Sequence, residues 1–164
     1  TAALGLKPRA EVLGVGWTSD AHHFTLPHGE TIIRAIREAI ADAGLAPEDI
    51  EAINAHGTST PKGDKVEIES LRSVFGQMLP KIPISSNKSQ IGHTLGAAAA
   101  IEAVLGIEAM QQKLVLPTAN HRPDPAFDDV DVVPNHARRH AHEFFLSNAF
   151  GFGGTNCCIV FRGV

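Results

Sequence analysis

Residues 82–113 read IPISSNKSQIGHTLGAAAAIEAVLGIEAMQQK. A short β-favouring run over 82–85 gives way to a polar loop, and the loop leads into a helix expected over about 94–113. The first half of that helix is packed with alanine, at Ala97, Ala98, Ala99, Ala100 and Ala103. Small side chains on every face let neighbours approach from several sides, which is the character of a central helix in a layered α/β fold.

Outward from this stretch, strands and helices alternate. Residues 11–17, Glu-Val-Leu-Gly-Val-Gly-Trp, favour a strand that ends at the polar Thr18, Ser19 and Asp20. Residues 28–43 carry Ile32, Ile33, Ile36, Ala39, Ile40 and Ala43 at the spacing of a one-sided helix stopped by Gly44. A short strand is expected over 52–55, and a second helix over 64–75 with Val66, Ile68, Leu71, Val74 and Phe75 on its apolar side. Strands follow over 130–133, 144–150 and 157–161, the last two joined by the glycine-rich 151–154. The order predicts an α/β layered domain with a mostly parallel, mixed-edge sheet. The proline-rich stretch 117–125 is the only linker-like segment and is too short to divide the chain, so one domain over 1–164 is expected.

Composition narrows the class. Hydrophobic residues at 43% and charged residues at 20%, without repeats, describe a globular chain able to bury a core. The net charge of −4 and the lack of a basic stripe argue against nucleic-acid binding. No apolar run is long enough to span a bilayer, and the first residues lack a signal-peptide layout, so a cytoplasmic protein without membrane contact is expected. Cys157 and Cys158 are neighbours on a predicted strand, point to opposite faces and cannot form a disulfide framework.

The chemistry-bearing residues gather at three junctions: Asn54-Ala-His-Gly-Thr-Ser-Thr-Pro61 and Ser85-Ser-Asn-Lys-Ser-Gln-Ile-Gly-His93 after strands, and Ser147-Asn-Ala-Phe-Gly-Phe-Gly-Gly-Thr-Asn156 between two strands. Loops at the carboxyl ends of strands converge on the ligand crevice of an open α/β sheet, so the three could form one site. Two other features fail. Gly14-Val15-Gly16 has Ser19 at the third position of a dinucleotide fingerprint, with no helix to follow. His136, His140 and His142 lack cysteine or carboxylate partners at useful spacing, so no metal is expected.

Taken together and in this order, the three motifs resemble the decarboxylating condensing enzymes of the thiolase superfamily, most closely β-ketoacyl-[acyl carrier protein] synthases of the synthase II type, from about Glu11 to the end of the chain. The resemblance implies a thiolase-like layered fold, C-terminal half: a five-stranded mixed sheet with helices on both faces. It implies that His56 and His93 hydrogen-bond the malonyl thioester carbonyl and stabilise the enolate formed as carbon dioxide leaves. His93 is expected at a helix N-terminus, where the dipole disfavours imidazolium. Lys88 and Glu102 match the family's active-site lysine and its acidic partner, and a buried pair between them is expected. Thr58 and Thr60 match contacts to the phosphopantetheine arm, with Phe150 also on the substrate side. Phe152 matches a residue whose backbone N–H completes the oxyanion hole and whose ring gates the acyl pocket.

The nucleophilic cysteine of this family lies in an N-terminal half that the chain does not contain. Cys157 and Cys158 sit among Ile159, Val160 and Phe161 and do not replace it, so the chain alone is expected to be inactive. The implied parent is a homodimeric acyltransferase of fatty acid biosynthesis that needs no cofactor of its own, since its substrates ride on the phosphopantetheine of acyl carrier protein. A polyketide ketosynthase, a non-catalytic chain-length partner subunit and a self-contained α/β binding module stand as alternatives.

Overall fold

The computed structural model describes residues 4–164; residues 1–3 of the expected 1–164 domain lie outside the described residues. Strand β1 (Ala10–Ser19) leads to helix α1 (Gly29–Asp42), then β2 (Ala52–Asn54), α2 (Pro61–Phe75) and β3 (Ile84–Ser85). A one-turn helix α3 (Lys88–Ile91) and the long α4 (Ala98–Gln111) follow. The chain ends with β4 (Leu114–Val115), β5 (Arg138–Arg139), β6 (Phe144–Gly151) and β7 (Thr155–Gly163).

Five strands form one mixed sheet in the order β1-β7-β6-β2-β3. The expected parallel majority is absent. β2 runs parallel to both β3 and β6, whereas β7 is antiparallel to β6 and to β1, because the tight turn at 151–154 leaves a hairpin. β4 and β5 pair in a separate small sheet that the sequence reading did not foresee. Residues 130–133 do not form the expected strand. Only Val132 bridges Ile84, in parallel, and the amide of Val132 turns back to the carbonyl of Val130 instead of extending a ladder. Pro134, with no N–H to give, then makes a second isolated parallel bridge, to Thr118.

Helices cover both faces of the sheet. Ile32, Ile36 and Ile40 of α1 and Leu71 and Phe75 of α2 pack with Leu146, Cys158 and Val160 on one side. On the other, Met110 of α4 packs with Val115, Phe145 and Phe161. The α1 side is held close by absent side chains: a Cβ on Gly14 would lie 2.2 Å from the Ala39 carbonyl oxygen, and one on Gly16 only 1.8 Å from that of Ala35. The glycine run that suggests a nucleotide loop is therefore a packing surface for α1. β1 is an edge strand with a register shift between Val12 and Gly14, and on its open edge the Val15 amide donates to Asp42 Oδ2 at 2.9 Å.

The central-helix character of α4 is met on one side only within this chain. Its inner face is covered, but Ile101 and Val104 are exposed, as are Val15 and Trp17 on the same open side of the sheet. Among the described residues no helix is long and apolar enough to cross a membrane.

Gly16→Ala should destabilise the fold by about 3 kcal/mol, the upper end for overpacking, because the obstruction is backbone and cannot rotate away. Gly96→Ala, at a position with nothing within 4 Å of the added carbon, should stay within about 0.5 kcal/mol of the parent when both variants are compared by urea titration.

Candidate active site

Because β2, β3 and β6 run parallel, their carboxyl ends share one edge of the sheet, and the loops that leave them meet there. The loop after β2 carries His56, the loop after β3 carries Lys88 and His93, and the β6–β7 turn carries Phe152. The His56 and His93 rings lie edge to face with centroids 5.9 Å apart. Phe150 packs on His56 at 5.2 Å, between centroids.

Both imidazoles have Nδ1 occupied. The Phe150 amide donates to His56 Nδ1 at 3.2 Å, and the Leu95 amide donates to His93 Nδ1 at 3.2 Å. A neutral ring with Nδ1 accepting carries its proton on Nε2, so each histidine offers one N–H donor. His56 is also held neutral: burial, then the nearby positive charge of Lys88, then His93, lower its pKa from 6.5 to about 3.

The expected placement of His93 at a helix N-terminus needs correction. α4 does not begin at His93 but five residues later, after a 3-10 turn over Leu95–Ala97. Gly92 at φ 75° and Leu95 at φ 53° both take left-handed backbone, which no helix continues, so His93 stands outside the first turn of α4. The amide of Leu95 does the orienting instead.

Lys88 Nζ lies 2.6 Å from Glu102 Oε1, and the two side chains are 5% and 0% exposed. Glu102 Oε2 accepts from Asn54 Nδ2 at 3.1 Å, and the same amide lies 3.2 Å from Ser147 Oγ. Thr58 and Thr60 stand with their hydroxyls 3.4 Å apart on the mouth of the β2 loop. A cavity of about 600 Å³ opens here, with Thr58, Ser86, Lys88, His93 and Thr118 among its lining. Phe152 is 71% exposed and stacks on Phe24 with centroids 5.4 Å apart. Gly153 and Gly154 beside it take φ of 79° and 81°, as the turn requires.

Sequence reading missed Glu67. It is buried on α2 and accepts the amides of His56 and Gly57, each at 2.9 Å, on its two oxygens, with Asn148 Nδ2 adding a third bond at 3.1 Å. Burial pushes its carboxyl above the ordinary range, against these three donors. A signal existed: Glu67 lies one turn before Leu71 and adjoins Ile68, on the buried stripe of α2. The cysteines lie where the strand reading expects, on β7, with both thiols raised by burial and neither among the three loops. His140 Nε2 lies against the Glu51 carbonyl and His142 Nδ1 against that of His140, so these rings serve backbone contacts; among the described residues no cluster could hold a metal.

The fold and these residues define a class of α/β protein in which two imidazole N–H donors and a buried lysine–glutamate pair meet at the carboxyl edge of a mixed sheet. Comparison names the family. The model for "Beta-ketoacyl synthase, C-terminal domain" matches residues 9–122, and the chain belongs to that family. It is 42% identical over 163 residues to 3-oxoacyl-[acyl-carrier-protein] synthase 2 of Staphylococcus aureus strain COL, covering 98% of this chain and 39% of the relative. A beta-ketoacyl synthase from Burkholderia phymatum STM815 superposes with a TM-score of 0.92 at 42% identity, over 99% of this chain and 40% of the other. A type II PKS ketosynthase, solved in complex with its acyl-carrier protein, superposes at 0.93 with 35% identity over 99% of this chain and 40% of that one. The chain thus spans about two fifths of the length of the relatives it matches. The fold is the expected thiolase-like one, a five-stranded mixed sheet between helices.

Two measurements check this geometry. The unfolded chain binds a proton on His56 near pH 6.5, whereas the folded chain resists until about 3, so between those values the unfolded state holds more protons and stability falls as pH drops. His56→Asn should flatten that acid-side loss in urea unfolding, while Asp64 and Glu67, both raised, act in the opposite sense in either protein. Identical pH slopes would contradict a neutral buried His56. Separately, Glu67→Gln leaves one of two buried amides facing an NH₂ group, and should cost about 1–3 kcal/mol by the usual penalty for an orphaned donor, read by thermal unfolding.

Proposed function

We propose that this chain is the C-terminal part of a 3-oxoacyl-[acyl carrier protein] synthase acting in fatty acid biosynthesis. Its loops serve the decarboxylating condensation of an enzyme-bound acyl group with malonyl-[acyl carrier protein]. The observation that carries the reading is the histidine pair: two rings 5.9 Å apart, each with Nδ1 committed to a backbone amide and Nε2 left as donor.

The chemistry follows from that arrangement. When the malonyl carboxylate departs as carbon dioxide, its electron pair moves toward the thioester carbonyl and makes an enolate oxygen. Two fixed N–H donors stabilise that charge more than they stabilise the starting carbonyl, which is what lowers a barrier. Neutral imidazole is a very weak acid, so His56 can donate a hydrogen bond without surrendering its proton and quenching the carbanion. The carbanion then attacks the acyl thioester carbon, and the thiolate leaves. That thiol belongs to the part of the enzyme outside this chain.

Lys88 and Glu102 fix the loop that presents His93, Thr58 and Thr60 meet the phosphopantetheine arm, and Phe150 backs His56 on the substrate side. Phe152 gates the acyl pocket, in keeping with an exposed ring beside two left-handed glycines. The partners are acyl carrier protein and a second copy of the complete enzyme, in the cytoplasm, with no resident cofactor or metal in the scheme. Likeness to a polyketide ketosynthase at a TM-score of 0.93 supports the same chemistry in polyketide assembly as a second reading.

In the complete enzyme, His56→Ala or His93→Ala should each slow malonyl decarboxylation by about 10²–10³, or 2.7–4 kcal/mol, the loss expected for one oxyanion donor. Acyl transfer to the nucleophile should suffer less. The 164-residue chain alone should turn nothing over. Unchanged decarboxylation in both variants, or hydroxylamine-sensitive acylation of Cys157 or Cys158 with turnover on malonyl addition, would refute the assignment.

A further inference from the structure

The segment that looks like a linker, residues 117–119, grips the loop that carries Lys88. The Ser86 amide donates to Thr118 Oγ1 at 3.0 Å, Gln90 Nε2 donates to the Pro117 carbonyl at 2.9 Å, and the Ala119 amide donates to Ser89 Oγ at 2.7 Å. Ser89 Oγ in turn donates to the Ser86 carbonyl at 2.7 Å. Three of the residues flanking Lys88 are thus tied to one short stretch. That stretch is itself anchored, since the Thr118 amide donates to the Val133 carbonyl at 2.8 Å and the Asn135 amide to that of Thr118 at 3.0 Å.

The grip extends to the other histidine loop. Ser86 Oγ donates to the Gly57 carbonyl at 2.7 Å, and Gly57 has no room for a side chain, because a Cβ there would meet Ser86 Cβ at 2.7 Å. Ser86 therefore stands between Gly57, the residue after His56, and Thr118. If Thr118 releases the Ser86 amide, the buried turn that sets both Lys88 and the spacing to His56 loses its fixed point.

We propose that Thr118 is a positioning residue, whose hydroxyl fixes the 86–90 turn and through it the relative placement of His56, Lys88 and His93. It acts as an acceptor, so the oxygen matters and the methyl group does not. The inference rests on the reading of those three side chains as the working groups, and its test is independent of turnover.

The experiment compares Thr118→Val, which keeps the shape and removes the acceptor, with Thr118→Ser, which keeps the acceptor. Ring ¹⁵N signals of His56 and His93 and the Lys88 Nζ signal are followed in the full chain, with His140, at the far end of β2, as an internal control. Thr118→Val should shift or split the His93 and Lys88 signals and leave His140 alone, and Thr118→Ser should return them to the parent positions. In the complete enzyme, Thr118→Val should slow decarboxylation about tenfold with acyl transfer to the nucleophile little altered. Should Thr118→Val fail to fold, Ser89→Ala removes two bonds of the same grip and is read by the same signals. Parent-like His93 and Lys88 signals in Thr118→Val or Ser89→Ala, or no recovery in Thr118→Ser, would overturn the proposal, whatever the histidine variants do to activity.

Discussion

A lysine and a glutamate with almost no exposed surface face each other at 2.6 Å between α3 and α4, and the site is arranged around them. Burying two charges is expensive, and an ion pair in an apolar setting does not stabilise a fold better than well-packed hydrophobic residues would. Removing one partner alone is another matter, because it strands the other charge. Lys88 and Glu102 are therefore better understood as fixing a conformation than as adding stability: the chain can bury them only with the β3 loop folded back against α4. Lys88 Nζ has no aligned hydrogen-bond acceptor, so its charge is compensated by the ion-pair contact with Glu102 alone.

A second buried carboxylate repeats the device on the other side of the sheet. Glu102 reaches β2 and β6 through Asn54 and Ser147, and Glu67 reaches β6 through Asn148. Ser147 and Asn148 are consecutive on β6 and so point to opposite faces. One strand thereby communicates with an anchoring glutamate on each side, and each glutamate holds one histidine-bearing loop: Glu67 by the amides of His56 and Gly57, Glu102 by the ammonium of Lys88. The spacing of the two histidine loops is thus set across the sheet that lies between those two carboxylates.

Sequence made the skeleton readable because its signals are local. Apolar spacing locates α1 and α2, glycines mark the β6–β7 turn, and the three polar junctions are loops that the fold brings together in one candidate site. What escaped is set by distant contacts. The break before α4 lies in the left-handed backbone of Leu95, a conformation that leucine does not advertise. Parallel and antiparallel neighbours cannot be told from strand composition when two short strands lie beside a hairpin. Thr118 sits among prolines, where a linker is the ordinary reading, and only its partners at 86–90 reveal otherwise. Glu67 was detectable on the apolar stripe of α2, but its task was not, because the amides it holds belong to a loop ten residues away.

The donors at this site are prepared before any ligand arrives. Each imidazole is given its tautomer by a backbone amide, which cannot titrate, in place of a carboxylate, which would favour imidazolium. For His56 the choice has an electrostatic consequence: a carboxylate at Nδ1 would raise the pKa that burial and Lys88 lower to about 3. Lys88 therefore acts on His56 in two ways. Its ion pair with Glu102 holds its own loop, and its residual positive field keeps the neighbouring ring uncharged. A ring that is uncharged and oriented needs no reorganisation when negative charge develops beside it, and that absence of reorganisation is what distinguishes a fixed donor in a half-buried site from a water molecule in the same place.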